Sequence, residues 1–385
     1  MNGQKNSKSE LKKQIKDEAR TLINSGLSTG LSIALGNTNS FLLYNDGFCE
    51  SGFIRPVNED TIVDIASLTK LFLSICFFSI SEKMPIDFTK SVKYYSNKFP
   101  FIENISLNDL FHFNCNLRTT KRITDCTYQQ ALNEIYNIKN DSFNKPNYSD
   151  MPSIVLGLLF KEIFGCEFGD YFNDNFVNSL NLCGTFFGKK IPNSGKNYFN
   201  YDNEMIIVNN QLQSFKQKPL VVNDRKAEIL SNDGEFLVGN AGIFTCSKDM
   251  AEMCTAILSE KMISKRSLLK ISTGSNSKFA QRFGYLVYSK SPNNRISEIP
   301  SFMSDKAFGM SGFTGTYLLI DPVKDCFVFL AGNRLNNKIT AVDDQSLICG
   351  NKIIYKNNLF DYSKNYVYER DKLRDYCCKF LIEQQ

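Results

Sequence analysis

The chain has 385 residues, a formal net charge of +5, 42% hydrophobic and 22% charged residues. This is a globular composition, long enough for one large domain or two interlocked ones. The basic residues are dispersed, which argues against a nucleic-acid partner; the 12 cysteines contain no C-x-x-C and sit largely in apolar runs, which argues for a reducing compartment and against a disulfide framework. A single histidine and no clustered thiols argue against zinc.

The first eight residues, Met1 to Lys8, are polar and no apolar leader core follows. No apolar run reaches the roughly 18 residues of a membrane span. The expectation is a soluble, cytoplasmic protein. Leu11, Ile15, Ala19 and Leu22 recur at helical spacing, predicting a helix over 9–24 that Ser25-Gly26 ends. Residues 31–35 and 41–44, joined by Gly36-Asn37-Thr38-Asn39, read as a β-hairpin. Residues 71–80 are apolar throughout, as in a buried helix.

Between 85 and 220 the alternating pattern gives way to helical stretches at 106–112, 127–138, 151–164 and 168–180, separated by polar connectors. Two more helices are expected over 246–271. From 281 the pattern becomes strands, at 283–288, 316–320 and 326–330, the last two joined by the turn Asp321-Pro322-Val323-Lys324-Asp325. A charged amphipathic helix is expected over 364–382. Strands thus come from both ends of the chain with helices between them. The predicted fold is α/β (α+β): an antiparallel sheet flanked by helices, with a mostly helical insertion. The sheet part is placed at 10–80 and 275–385, the helical part at 81–274, and 336–385 is an extension whose helix packs on the sheet.

The chemistry-bearing string is Ser67-Leu68-Thr69-Lys70, at the start of the apolar helix. Positions i and i+3 share a helix face, so the Lys70 amine can reach the Ser67 hydroxyl. A serine becomes a nucleophile when a neighbouring base takes its proton, and a lysine is that base only when its pKa is lowered. Alone, the string fits equally an N-cap serine with a solvated lysine. Four other strings accompany it: Asn147-Tyr148-Ser149-Asp150, Asn240-Ala241-Gly242-Ile243-Phe244, Met310-Ser311-Gly312-Phe313-Thr314-Gly315-Thr316, and Asn333-Arg334.

Taken in order, these strings resemble the serine β-lactamase-like and penicillin-binding-protein family, in its class C and esterase branch, over roughly residues 10–335. The family's Ala-Ser-x-Thr-Lys is similar to Ala66 through Lys70, its Tyr-Ser-Asn to Tyr148-Ser149-Asp150, its Ala-Gly-Leu-Phe-Ser-Thr-x-x-Asp-Leu-Ala stretch to Ala241 through Ala251, and its third motif with the strand after it to Met310 through Pro322. The resemblance implies acyl transfer through Ser67, with Lys70 and Tyr148 sharing the proton, and no metal or cofactor. It implies an oxyanion hole from the backbone N–H groups of Ser67 and Phe313. Asp150, Met310, Ser311 and Gly312 would bind substrate, Gly312 by letting a substrate backbone approach its strand. His112, in Leu110-Phe111-His112, reads as structural.

Two positions depart from the family. Met310 stands where the family has Lys or His, and Asp150 where it has Asn. A thioether carries no charge, and an ionised Asp150 would raise the pKa of Lys70. Both weigh against a penicillin-like carboxylate, and on this account a histidine at 310 would raise the hydrolysis of a generic ester. The expected function is a serine hydrolase acting on a small-molecule ester, amide or peptide. The alternatives are an acyltransferase, a catalytically impaired homologue that binds a ligand or partner, and a peptidase for D-amino-acid peptides, which would want a cation such as Arg334. The sequence leaves the oligomeric state open.

Overall fold

The computed structural model describes residues 2–50, 54–141, 148–188, 197–201, 204–208, 211–215, 224–274, 281–293, 297–335, 339–342, 348–349, 352–355, 358–361 and 366–383. Asn147 and positions 364 and 365 of the expected last helix lie outside these residues.

The chain opens with helix α1 (Asn2–Asn24) and the hairpin β1 (Gly30–Gly36) and β2 (Phe41–Gly47). Strand β3 (Val63–Asp64) leads through one 3-10 turn, Ala66–Leu68, into α2 (Thr69–Ser81). The insertion runs α3 (Val92–Tyr95), α4 (Leu107–Phe111), β4 (Leu117–Arg118), α5 (Tyr128–Tyr136), β5 (Lys139–Asn140), α6 (Met151–Phe164) and α7 (Phe168–Phe172). It continues as β6 (Phe186–Phe187), the hairpin β7 (Glu204–Val208) and β8 (Gln211–Phe215), α8 (Arg225–Leu230), β9 (Ile243–Thr245), α9 (Ser247–Leu258) and α10 (Lys265–Ile271). The chain returns as β10 (Tyr288–Ser289), β11 (Phe308–Ser311), β12 (Thr316–Asp321) and β13 (Cys326–Gly332). Last come β14 (Ile339–Val342), which pairs in parallel with β7, the small sheet β15 (Ile348–Cys349), β16 (Lys352–Tyr355) and β17 (Asn358–Asp361), and α11 (Tyr366–Ile382). No described helix is long and apolar enough to cross a membrane.

The main sheet has the order β10-β11-β12-β13-β1-β2, antiparallel throughout. Its central strands are apolar runs, not alternations, because helices cover both faces. On one face Leu31, Ile33 and Leu35 of β1 and Cys326, Val328 and Leu330 of β13 join a core with Leu11, Ile15 and Leu22 of α1 and with Leu373, Cys377 and Phe380 of α11. On the other, Ala34, Phe327, Phe329 and Ala331 join Met250 and Ala251 of α9 and the residues of α2. The period of two in β-strands thus divides one run of residues between two cores.

The expected elements are present with two exceptions. Residues 283–288 are not a strand. Leu286 has φ +57, and the Gly284 N–H donates to the Val287 carbonyl at 2.9 Å, closing a tight turn. The Tyr285 and Leu286 N–H groups are spent on Ile271 and Phe111 of other elements, so only Tyr288–Ser289 pairs as a strand. The helix expected over 168–180 stops at Phe172 and continues as a π-type turn over Asn173–Asn178. The insertion also carries more strand than its helical patterning implies, in β4 to β8.

One aromatic cluster sets α2 against the insertion. Phe77 meets Phe111 and Phe160 edge-to-face at 5.0 Å each and Phe164 at 5.4 Å. Phe77 is fully buried. Because α6 begins beside Asp150 and α2 beside Ser67, this packing sets the spacing of the two helix N-termini. Replacing Phe77 by Ala should remove the wedge and cost about 3–5 kcal/mol; a urea midpoint within experimental error of the parent would show that α2 is held otherwise.

Candidate active site

The turn into α2 is built to present Ser67. Ala66 has φ +46, a conformation that L-residues rarely adopt. It is held by its N–H, which donates to Asp64 Oδ1 at 2.8 Å, and from behind by the β11–β12 loop. There the Thr314 hydroxyl donates to the Asp64 carbonyl at 2.7 Å and the Thr316 hydroxyl to the Ile65 carbonyl at 3.2 Å. Gly312 belongs to the same contact. A Cβ there would lie 2.1 Å from Thr316 Oγ1 and 2.7 Å from the Ile65 carbonyl oxygen. The motif assigns the space at Gly312 to a substrate; that space is taken by the chain's own turn before Ser67. Ser67 itself is half-buried, and Phe313, next to Gly312, is exposed on that loop.

Lys70 is fully buried, and its ammonium has three acceptors: Ser67 Oγ at 2.9 Å, Asp150 Oδ1 at 2.8 Å and the Asn240 carbonyl at 3.1 Å. An ammonium has three protons to donate and no lone pair, so this arrangement suits the charged form. Burial works against that charge, but the adjacent Asp150 carboxylate, with Tyr148 and Asp224, outweighs it and holds Lys70 above the ordinary lysine range. Asp150 is likewise opposed by burial, yet Lys70 and Lys226 hold it below the usual carboxylate range. Asp150 sits at the N-terminus of α6 without capping it. Its carboxylate points instead at the two lysines, where the helix dipole also favours a negative charge.

The arrangement extends to residues that the sequence motifs do not mark. Lys226 Nζ reaches Asp150 Oδ2 at 2.9 Å and Asp224 Oδ2 at 3.5 Å. Asp224 caps α8, accepting from Ala227 N–H at 2.8 Å, and takes the Asn240 side-chain amide at 3.0 Å. A closed circuit results: Lys70, Asp150, Lys226, Asp224, Asn240 and back to Lys70. The Asn240 backbone comes this near because Gly239 lets it pass α6: a Cβ on Gly239 would lie 2.1 Å from the Ser153 carbonyl oxygen. The capping position of Asp224 is the one available sequence signal; nothing in the spacing of Lys226 ties it to Ser67.

Tyr148 presents its ring to the site. The Lys70 ammonium lies 5.4 Å from the ring centroid, within cation–π range. The ring stacks near Phe283 at 5.9 Å and tilts against Phe113 at 5.1 Å, and it is 37% exposed. Ser311 lies at the edge of the same aromatic group, its hydroxyl 3.3 Å from that of Tyr288. His112 joins none of these bonds; its ring spans the carbonyls of Asn108 at 2.8 Å and Thr273 at 3.0 Å. Arg334 lies over the rings of Phe313 and Tyr366, at 5.9 and 5.8 Å.

Met310 corrects another expectation. It is fully buried, in the core that contains Phe308 and Leu318, and offers a substrate no surface. It shares the inward face of β11 with Phe308 and opposes Leu318 on β12. The residue is apolar because its surroundings are. Among the described residues no three His, Cys, Asp or Glu side chains converge as a metal site.

A family model described as Beta-lactamase matches residues 19–349. No curated protein matches the sequence. Several solved structures share the fold. One is EstCE1, described as a hydrolase with promiscuous acyltransferase activity: 12% identity, TM-score 0.68, covering 96% of this chain and 99% of that one. A class C β-lactamase aligns at 18% identity and TM-score 0.66, covering 87% and 93%. D-amino acid amidase from Ochrobactrum anthropi SV3 aligns at 12% identity and TM-score 0.64, covering 96% and 99%. Identities this low speak to the fold alone.

The burial of Met310 reverses the expected effect of its replacement. Met310→His would place a polar ring among Phe308 and Leu318, costing about 1–3 kcal/mol of stability, with no gain in ester turnover. Denaturant unfolding beside a nitrophenyl ester assay checks this; a stable variant with faster turnover would restore the role that the motif gives position 310.

Proposed function

The chain belongs to the β-lactamase family, and we propose that within it the protein is a serine hydrolase that cleaves an ester or amide through an acyl-Ser67 intermediate. One observation carries the reading: the hydrogen bond of 2.9 Å between Lys70 Nζ and Ser67 Oγ, at the start of a buried helix and beside Asp150 and Tyr148. A structural serine has no need of a buried, fully bonded ammonium at its hydroxyl.

In this reading Ser67 Oγ attacks the substrate carbonyl carbon and its proton moves to a base. Lys70 as an ammonium cannot take that proton. It can stabilise the negative charge that develops on Oγ by the hydrogen bond it already makes. The acceptor is then Lys70 after it has lost a proton, with Tyr148 as the partner that the resemblance pairs with it. The leaving group takes a proton from the same pair, and water then cleaves the acyl-enzyme. The oxyanion that forms is placed between the backbone N–H groups of Ser67 and Phe313, as the sequence motifs imply. The loop carrying Phe313 is fixed to the Ser67 turn by Thr314 and Thr316. Each such donor is commonly worth about 10²–10³ in rate.

A second reading rests on Asp150. By holding Lys70 charged it leaves Ser67 less nucleophilic than it would be beside a neutral amine. A slow enzyme, or a protein that binds ligand in the cleft without turning it over, follows from the same geometry.

Two experiments separate these. A fluorophosphonate should give a single adduct by intact mass, absent in Ser67→Ala, together with turnover of a nitrophenyl ester. A folded protein with neither adduct nor turnover would favour the binding reading. Asp150→Asn removes the carboxylate that opposes deprotonation and leaves Lys70 facing Lys226. The pKa of Lys70 should fall, so the alkaline rise of kcat/KM should move to lower pH and turnover near neutrality should increase about tenfold or more. An unmoved limb in a folded variant would remove Lys70 from the proton path.

A further inference from the structure

We propose that the cavity bordered by Tyr148, Asp150 and Lys226 is an anion subsite, so that the acyl group taken by this site carries a carboxylate. The inference rests on the acyl-Ser67 reading for its catalytic meaning, though not for the binding itself. The cavity has a volume of about 310 Å³ and is lined by Leu117, Arg118, Thr119, Tyr148, Asp150 and Lys226, among others. That is room for a short acyl chain. Its Asp150 wall is separated from Ser67 by only two hydrogen bonds, through Lys70. Tyr148, whose ring lies 5.4 Å from the Lys70 ammonium, also lines the cavity and so borders both it and the site.

The charge favours an anion. Asp150 is the carboxylate in the wall, and both its oxygens are engaged, Oδ1 by Lys70 and Oδ2 by Lys226. It has little left to offer a cationic ligand. The charged residues that line the cavity are two cations, Arg118 and Lys226, against one carboxylate, Asp150. Lys226 has a third proton beyond its two carboxylate contacts. Arg118, on the short strand β4, is exposed, and among the described residues its guanidinium makes no ion pair or hydrogen bond. A guanidinium offers paired donors that match a carboxylate. The strand side of the site differs: Met310 on β11 is buried and uncharged, and Arg334 lies over Phe313 and Tyr366. The Tyr148 ring and Met151, both partly exposed, give the cavity an apolar side for the methylene chain.

The test compares the nitrophenyl monoester of adipate with nitrophenyl hexanoate, esters of equal chain length that differ in a terminal carboxylate. Ser67→Ala gives the uncatalysed background. The expected kcat/KM favours the adipate ester about tenfold or more. The preference should disappear in Arg118→Gln and return in part in Arg118→Lys. Free adipate should bind the Ser67→Ala protein in calorimetry, and adding Arg118→Gln should weaken it about tenfold. Equal or better use of hexanoate would overturn the inference, as would a preference that survives Arg118→Gln. A preference lost instead in Arg334→Gln would place the anion on the strand side of the site. If neither ester is turned over, the acyl-Ser67 reading fails, and the adipate titration alone decides the subsite: binding sensitive to Arg118 sustains it, and no binding refutes it.

Discussion

A lysine ammonium with no exposure to solvent is the constraint around which this site is organised. Burying such a charge without partners costs several kcal/mol even after relaxation, so its three acceptors must be delivered accurately and by elements that do not drift. They come from three parts of the chain. Ser67 is on the turn between β3 and α2, Asp150 at the start of α6, and Asn240 just before β9. The ammonium therefore joins the turn into α2 to two separate segments of the insertion at one point. Removing a single acceptor would leave either an unsatisfied donor or a neutral lysine.

The packing below the site makes that delivery reproducible. Phe77 locks α2 to α6 through Phe160 and Phe164, and to α4 through Phe111. Gly239 lets the Asn240 segment lie against α6 more closely than any side chain would permit. The β11–β12 loop holds the Ser67 turn by two threonine hydroxyls, both on carbonyls of the segment that leads into it. The positive φ of Ala66 is tolerable because these contacts over-determine it. Strain before Ser67, dense aromatic packing behind it and a polar circuit in front belong to one arrangement.

Much of this is legible in the sequence where physics acts locally. The helix over 151–164 is readable from its apolar run and the glycine that follows, and the strands over 316–321 and 326–332 from β-branched and aromatic runs around an Asp-Pro turn. Ser67, Lys70, Tyr148 and Asp150 stand out because ordered motifs carry them, and the structure brings them together. Met310 is misread when its motif position is weighed over its strand position. Alternation on β11 puts it on the face of Phe308, and that face is core. Lys226 and Asp224 are illegible for a different reason. They lie at the start of the short helix α8, where Asp224 reads only as a cap, and most of their partners are far away in sequence, so only the tertiary structure ties them to the site.

The closed circuit changes which residues govern the serine. A carboxylate serving one ammonium stabilises that charge fully, whereas one shared by two divides its effect. Lys226 therefore limits how firmly Asp150 holds the proton on Lys70, and Asp224 in turn limits Lys226. Asn240 closes the loop by binding Asp224 with its side chain and Lys70 with its carbonyl. The charge held beside Ser67 is then a property of the whole circuit and not of one pair. A ligand anion settling beside Lys226 would compete for that lysine, return more of the Asp150 charge to Lys70 and tighten the ammonium that steadies the Ser67 oxygen.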